Sequence, residues 1–184
     1  MRRLAFLIAL VCTLSQPASA TIVATLDTRA LVAESDQIVR GRVVAQMARW
    51  DDAHERIFTD VTIRVDETYK GARTATLLIR RQGGSVGGIG MRTIGEVEFA
   101  AEEEAFLFLR RIPHTNLFQT VALAQGKLRI VRDRAGARVV SDPRGATLMT
   151  RDASGNAVLA PGRPSTQPLA GFEAELRRLV GARR

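Results

Sequence analysis

Two neighbouring stretches of this chain alternate apolar and polar residues closely enough to demand long extended strands. From Gln37 onward, Val39, Gly41, Val43, Ala45 and Met47 fall on one side, and Arg40, Arg42 and Gln46 on the other. From Phe58 to Tyr69, Val61, Ile63 and Val65 alternate with Asp60, Thr62, Arg64 and Asp66. A period of two places successive side chains on opposite faces, so each run reads as a strand with one buried face. Asp51-Asp52-Ala53-His54-Glu55 is a polar turn between them. Gly41 predicts a bend or a close backbone approach, as at a barrel corner.

The rest of the chain extends this pattern. Thr76 to Arg80 predicts a third strand and Thr93 to Phe99 a fourth, with Val97 and Phe99 on its apolar side. Ala105-Phe106-Leu107-Phe108-Leu109 is apolar on both faces and should be covered on both. Leu117 to Val131 supplies a sixth strand, broken at Gly126, and Val139-Val140 and Thr147 to Met149 are short candidates. Before the first strand, Thr28 can cap a short helix that turns Leu31 and Val32 inward and ends at Ser35-Asp36. After a linker at 160–167, Thr166 caps a last helix from Pro168, near N1, to Val180. Leu169, Phe172, Leu176 and Leu179 recur in it at helical spacing.

These elements predict a mainly β chain: a small OB-like closed barrel of five or six strands, with a short N-terminal helix and a C-terminal helix. The expected organisation is a signal peptide at 1–20, a β-barrel domain at 21–159, the linker at 160–167, and a C-terminal helix with basic tail at 168–184. A chain of 184 residues suits one such core.

The first 20 residues carry an export pattern. Arg2-Arg3 precede the apolar run Leu4–Leu14, and Ala18-Ser19-Ala20 offers a small-residue cleavage site. The run is shorter than the roughly 20 residues that span a bilayer as a helix. Cys12 lies inside it, after bulky Val11, which does not fit a lipidation site. Cleavage would remove this single Cys and two cations of the +8 formal charge. The expected product is secreted or periplasmic, free of disulfides, and without a membrane span.

The candidate chemistry is sparse. The stretch Gly83-Gly84-Ser85-Val86-Gly87-Gly88-Ile89-Gly90 holds five glycines in eight positions. Glycine lets backbone N–H groups approach an anion, so Gly83, Gly84, Ser85, Gly87, Gly88 and Gly90 are the candidate ligand-binding residues. No Lys follows as a P-loop requires. Asp51, Asp52, His54 and Glu55 are the candidate set for a metal-dependent hydrolase, the alternative function. His54-Glu55 lacks the second His of a zinc-protease helix, because Phe58 stands there and His114 is the only other histidine. Glu102-Glu103-Glu104 reads as a solvated charged turn, and Asp152-Ala153-Ser154-Gly155-Asn156 lacks the distal Glu of a calcium loop. No Gly-x-Ser-x-Gly nucleophile elbow occurs. No metal, cofactor or catalytic residue is therefore assigned.

The chain has 25 Arg and 2 Lys, several of the arginines on polar strand faces. Such a surface attracts anionic partners. One Trp and one Tyr give few stacking platforms, so nucleic acid is not the expected partner.

Asp36-Gln37-Ile38-Val39-Arg40-Gly41-Arg42-Val43, Thr59 to Val65, and Tyr69-Lys70-Gly71 together resemble a group of uncharacterised exported bacterial proteins. More distantly they resemble the netrin-like domain of the tissue inhibitors of metalloproteinases, an OB-type barrel. Gly95 to Phe99 and Phe106 to Arg110 match the later strands of that pattern, so the resemblance covers about residues 37–131. Those inhibitors act through an N-terminal Cys, whereas Thr21-Ile22 would begin the processed chain, so the resemblance implies the fold and not the inhibition. The expected function is an exported, non-enzymatic binding or accessory module of the cell envelope, meeting an envelope protein or an anionic polymer.

Overall fold

A computed structural model describes residues 22–24, 26–141, 147–151, 157–159 and 165–182. The leader at 1–20, the turn-like segments at 142–146 and 152–156, and most of the expected linker lie outside the described residues. The fold is mainly β. In chain order it runs β1 (Ile22–Ala24), α1 (Thr28–Glu34), β2 (Gln37–Trp50), β3 (Ile57–Lys70), β4 (Thr76–Gln82), β5 (Gly84–Val86), β6 (Ile89–Met91) and β7 (Glu104–Arg111). It continues through β8 (Leu117–Thr120), a 3-10 turn (Leu123–Gly126), β9 (Lys127–Asp133), β10 (Gly136–Ser141), β11 (Thr147–Arg151), β12 (Ala157–Leu159), β13 (Ser165–Pro168) and α2 (Leu169–Gly181).

Eight strands form one sheet in the order β13-β10-β9-β7-β2-β3-β4-β8. β7 also pairs with β8, so the pairings β2–β3, β3–β4, β4–β8, β8–β7 and β7–β2 run in a closed circuit. Within it β4 and β8 are parallel and the other pairs antiparallel. β1, β11 and β12 make a separate small sheet, and β5 with β6 a hairpin.

β7 is covered on both faces, as its unbroken apolar run demands. Phe106 and Phe108 join a cluster with Leu31 and Val32 of α1 and Phe172, Leu176 and Leu179 of α2. Leu107 and Leu109 point the other way, to Val39, Val61, Ile63 and Ile79. Phe172 meets Phe106 edge-on at 4.7 Å. The C-terminal helix thus shares the core of the sheet. At Gly41 a Cβ would fall 2.5 Å from the Arg64 carbonyl oxygen, so the expected close approach is real.

Several local expectations are corrected. The single alternation of β2 breaks at a bulge: Val43 pairs with Ile63 but Ala45 with Thr62. One extra residue reverses the faces, as any one-residue slip must. Ala45 and Met47 therefore turn to solvent, and Gln46, itself exposed, reaches across to donate to the Phe99 carbonyl at 3.1 Å. Thr93–Phe99 is not a strand. Val97 and Phe99 are buried, but the segment lacks a ladder; its Glu98 and Phe99 carbonyls are taken by Lys127 and Gln46 side chains. The run at 117–131 is split: Ala122 and Leu123 adopt left-handed φ values of 50° and 57°, which end β8 before the 3-10 turn.

Asp27, one residue before Thr28, caps α1 by accepting from the Ala30 N–H at 2.7 Å. Residues 165–167 of the expected linker belong to β13, where Thr166 pairs with Val140 and caps nothing, and Pro168 is the N-cap of α2.

Candidate functional site

The glycine-rich segment is a hairpin and not an open loop. β5 and β6 pair Gly84 with Met91 and Val86 with Ile89. Gly87 and Gly88 form its two-residue turn at φ 59° and 82°, the left-handed pair that a tight hairpin turn requires. Gly84 packs where a Cβ would lie 2.4 Å from Thr59 Oγ1 and 3.0 Å from Ala48 Cβ, so the hairpin sits tightly on the outer half of the β2–β3 ribbon. The buried Gly83 donates to the Ile57 carbonyl at 2.7 Å. Ser85 and Gly90 are exposed. Turn geometry and close packing thus account for Gly83, Gly84, Gly87 and Gly88. Ile89 at the tip is 56% exposed, and Ile94 beyond it 61%.

At the root of the hairpin is a cavity of about 460 Å³, lined by Arg92, Glu96–Ala100, Glu103, Ala124, Lys127 and Arg129. Its centre is a buried ion pair. Lys127 Nζ donates to both Glu103 carboxylate oxygens, at 3.0 and 2.9 Å, and to the Glu98 carbonyl. It also stands 5.0 Å from the centre of the Phe99 ring. Burial pushes the Lys127 ammonium below its ordinary value, against the opposing pull of Glu103. Three acceptors use all three ammonium protons, so this lysine fastens the irregular 93–103 segment to β9 and is not a free nucleophile. Arg92 bonds Glu98 at 3.1 Å on the rim.

Lys127 carries no motif that singles it out. The usable signal is compositional: Lys127 and Lys70 are the only lysines beside 25 arginines. Lys70 Nζ likewise donates to main-chain carbonyls, those of Val32 and Ser35 at the end of α1. A compact ammonium suits such confined carbonyl sites better than a planar guanidinium.

Of Glu102-Glu103-Glu104, only Glu102 is in an exposed turn. Glu103 holds Lys127, while Glu104 takes Arg132 at 3.0 Å and Arg42 at 3.6 Å, and both carboxylates are largely buried. Some of the arginines on the polar strand faces are paired, although the chain keeps a formal charge of +8. Arg80 and Arg49 bond Asp60 at 2.8 and 2.9 Å, and Arg110 bonds Glu34.

The turn at 51–55 is a structured hairpin end. Asp51 Oδ1 accepts from the Glu55 and Arg56 N–H groups at 2.8 and 3.2 Å. Those bonds, Arg56 first, hold its carboxyl below the usual range. His54, at φ 57°, stacks on Trp50 at 6.1 Å. Among the described residues no group of three His, Cys, Asp or Glu side chains is placed to hold a metal ion.

A second polar cluster ties α2 to the ribbon. Tyr69 Oη donates toward Glu173 Oε1 at 2.9 Å and lies 3.1 Å from Glu67 Oε2. Arg40 bridges Glu173 and Glu67 at 3.0 and 3.6 Å, and Arg177 bonds Glu67 at 2.8 Å. Burial and the two carboxylates push the Tyr69 phenol far above its ordinary value.

No protein-family model and no curated protein matches the chain. Among the described residues no helix is long and apolar enough to cross a membrane.

Proposed function

We propose that this chain is an exported, non-enzymatic binding module of the cell envelope, built on an OB-like barrel, that docks a protein partner through the β5–β6 hairpin. The closed pairing circuit, with its one parallel contact between β4 and β8, supports the barrel reading. The resemblance of residues 37–131 to the netrin-like domain points the same way, as fold analogy alone. The leader pattern supports export to the periplasm or beyond.

The observation that carries the docking role is the exposure of Ile89 and Ile94 on and beside a glycine-tight hairpin, with Arg92, 81% exposed by side chain, between them. Exposed apolar side chains on and just after a firmly packed hairpin suit protein recognition. A protein is favoured over an anionic polymer because Arg40, Arg42, Arg80 and Arg132 are already engaged by carboxylates. The acidic groups that could do proton chemistry are likewise engaged: Glu103 and Glu104 in ion pairs, and Asp51 with its own turn.

The test is capture from an envelope fraction by the immobilised protein at low and high salt, with Ile89→Glu/Ile94→Glu alongside. A partner retained at high salt by the wild-type chain and lost by the double variant is the expected result. Capture unchanged by the double variant, or no partner at any ionic strength, overturns the proposal.

A further inference from the structure

We infer that the outer half of β2 pairs with the same strand of a second copy of this chain, joining two molecules edge to edge about a two-fold axis centred on Met47. Among the described residues β2 has two strand neighbours only along its first half. β7 pairs with it from Gln37 to Arg42, and the last backbone contacts on that side are Val43 N–H to the Glu103 carbonyl at 3.0 Å and Glu102 N–H to the Val43 carbonyl at 3.2 Å. β3 continues along the other side to Trp50. Among the described residues, Val44 to Trp50 therefore present an unpaired row of main-chain donors and acceptors.

Natural edges are usually blunted by Lys, Pro, inward charge or a bulge, because an open row templates another strand; here the one bulge, at Val44, lies at the start of the run and leaves Ala45 to Trp50 regular. This run, Val44-Ala45-Gln46-Met47-Ala48-Arg49-Trp50, has neither Lys nor Pro. Its one charge, Arg49, is turned onto Asp60 of β3 at 2.9 Å. Its two large aliphatic side chains are left open, Val44 at 43% and Met47 at 70% exposed.

The occupant follows from the register. Antiparallel self-pairing about Met47 sets Ala45 opposite Arg49, Gln46 opposite Ala48, and Met47 opposite itself, within the regular run that follows the bulge at Val44. No like charges face each other, and the exposed Met47 side chains of the two copies meet at the axis. A two-fold contact of this kind is closed, so it gives a dimer and no fibre. The surface is distinct from Ile89 and Ile94, and the inference stands independently of the hairpin docking role.

The experiment is sedimentation velocity over a range of concentrations on the purified chain. It is paired with single-cysteine cross-linking in a Cys12→Ser background, so that the introduced thiol is the only one. The expected result is a concentration-dependent dimer that Met47→Lys dissociates. Met47→Cys should form a disulfide-linked dimer under mild oxidation, while Val44→Cys, roughly 20 Å from its own copy at about 3.3 Å per residue, does not. Met47 is solvent-exposed, so at a dilution where the wild type is monomeric these variants should melt as it does. A monomer at every concentration, a dimer undiminished by Met47→Lys, or equal cross-linking at both positions overturns the inference.

Discussion

Ile38 and Val39 are adjacent on β2 and both are wholly buried; nine residues after Ile38 on the same strand, Met47 is 70% exposed. The two halves of β2 share one ladder with β3 and a similar apolar content. They differ in what lies beyond the ladder. The inner half has β7 at its side, the helices on one face and the aliphatic cluster on the other. The outer half has β3, the small hairpin, and a bulge that reverses its faces. Apolar alternation thus makes a strand, but layers on both faces make a core, and the half that lacks them leaves Met47 exposed.

Breaking the inner half should have the largest consequence. Phe108→Ala removes a fully buried ring from the helix-facing cluster and should cost roughly 3–5 kcal/mol, measured by denaturant unfolding. An unchanged midpoint would mean that the two-sided cover of β7 is not what holds the fold. Next comes the clamp at the boundary between the halves. Lys127→Ala leaves the Glu103 carboxylate buried without its ammonium and should cost about 3 kcal/mol. Lys127→Arg should recover only part of that loss in the same assay, because the guanidinium cannot reproduce three converging bonds.

A smaller and pH-dependent effect should come from the latch on α2. Burial alone would raise the Glu67 carboxyl, but bonds from Arg177 and Tyr69 and the charges of Arg177 and Arg40 outweigh it and hold it below its ordinary 4.5. A carboxyl lowered in the folded state stabilises it above the unfolded value, and that contribution is lost as pH falls through 4.5 and below. Thermal melts from pH 7 to 3 should therefore fall less steeply for Glu67→Gln than for the wild type; parallel curves would refute the latch. The smallest effect belongs to the outer half. Met47→Ala should change stability by less than about 0.5 kcal/mol in thermal melts at a dilution where the chain is monomeric, and a larger loss there would show that the residue is packed within its own molecule.

Much of this architecture can be read from local patterns. The two long strands, the doubly covered β7, the close approach at Gly41 and both helices each follow from spacing within a few residues. The candidate site is less legible. Its glycines are visible, but only pairing reveals that Gly87 and Gly88 make a hairpin turn, and that Gly84 lies against Thr59 and Ala48. Lys127 and Glu103 are 24 residues apart and meet only because β7 and β9 are neighbours. Glu104 and Arg132 look like surface charge until the same pairing brings them together. Thr93–Phe99 misleads because alternation reports burial, and a segment can be buried without a ladder when side chains take up its carbonyls.

The chain's own pattern settled which stretches are extended, which residues seek the interior and where glycine is needed for a tight turn, since these depend on side-chain period and backbone sterics over a few residues. Tertiary structure alone decided which face of β2 looks outward past Val43, which charges are paired, and which edge is left without a strand neighbour among the described residues. Those outcomes depend on groups distant along the chain reaching the same place, where one extra residue in a ladder or one buried carboxylate changes the result.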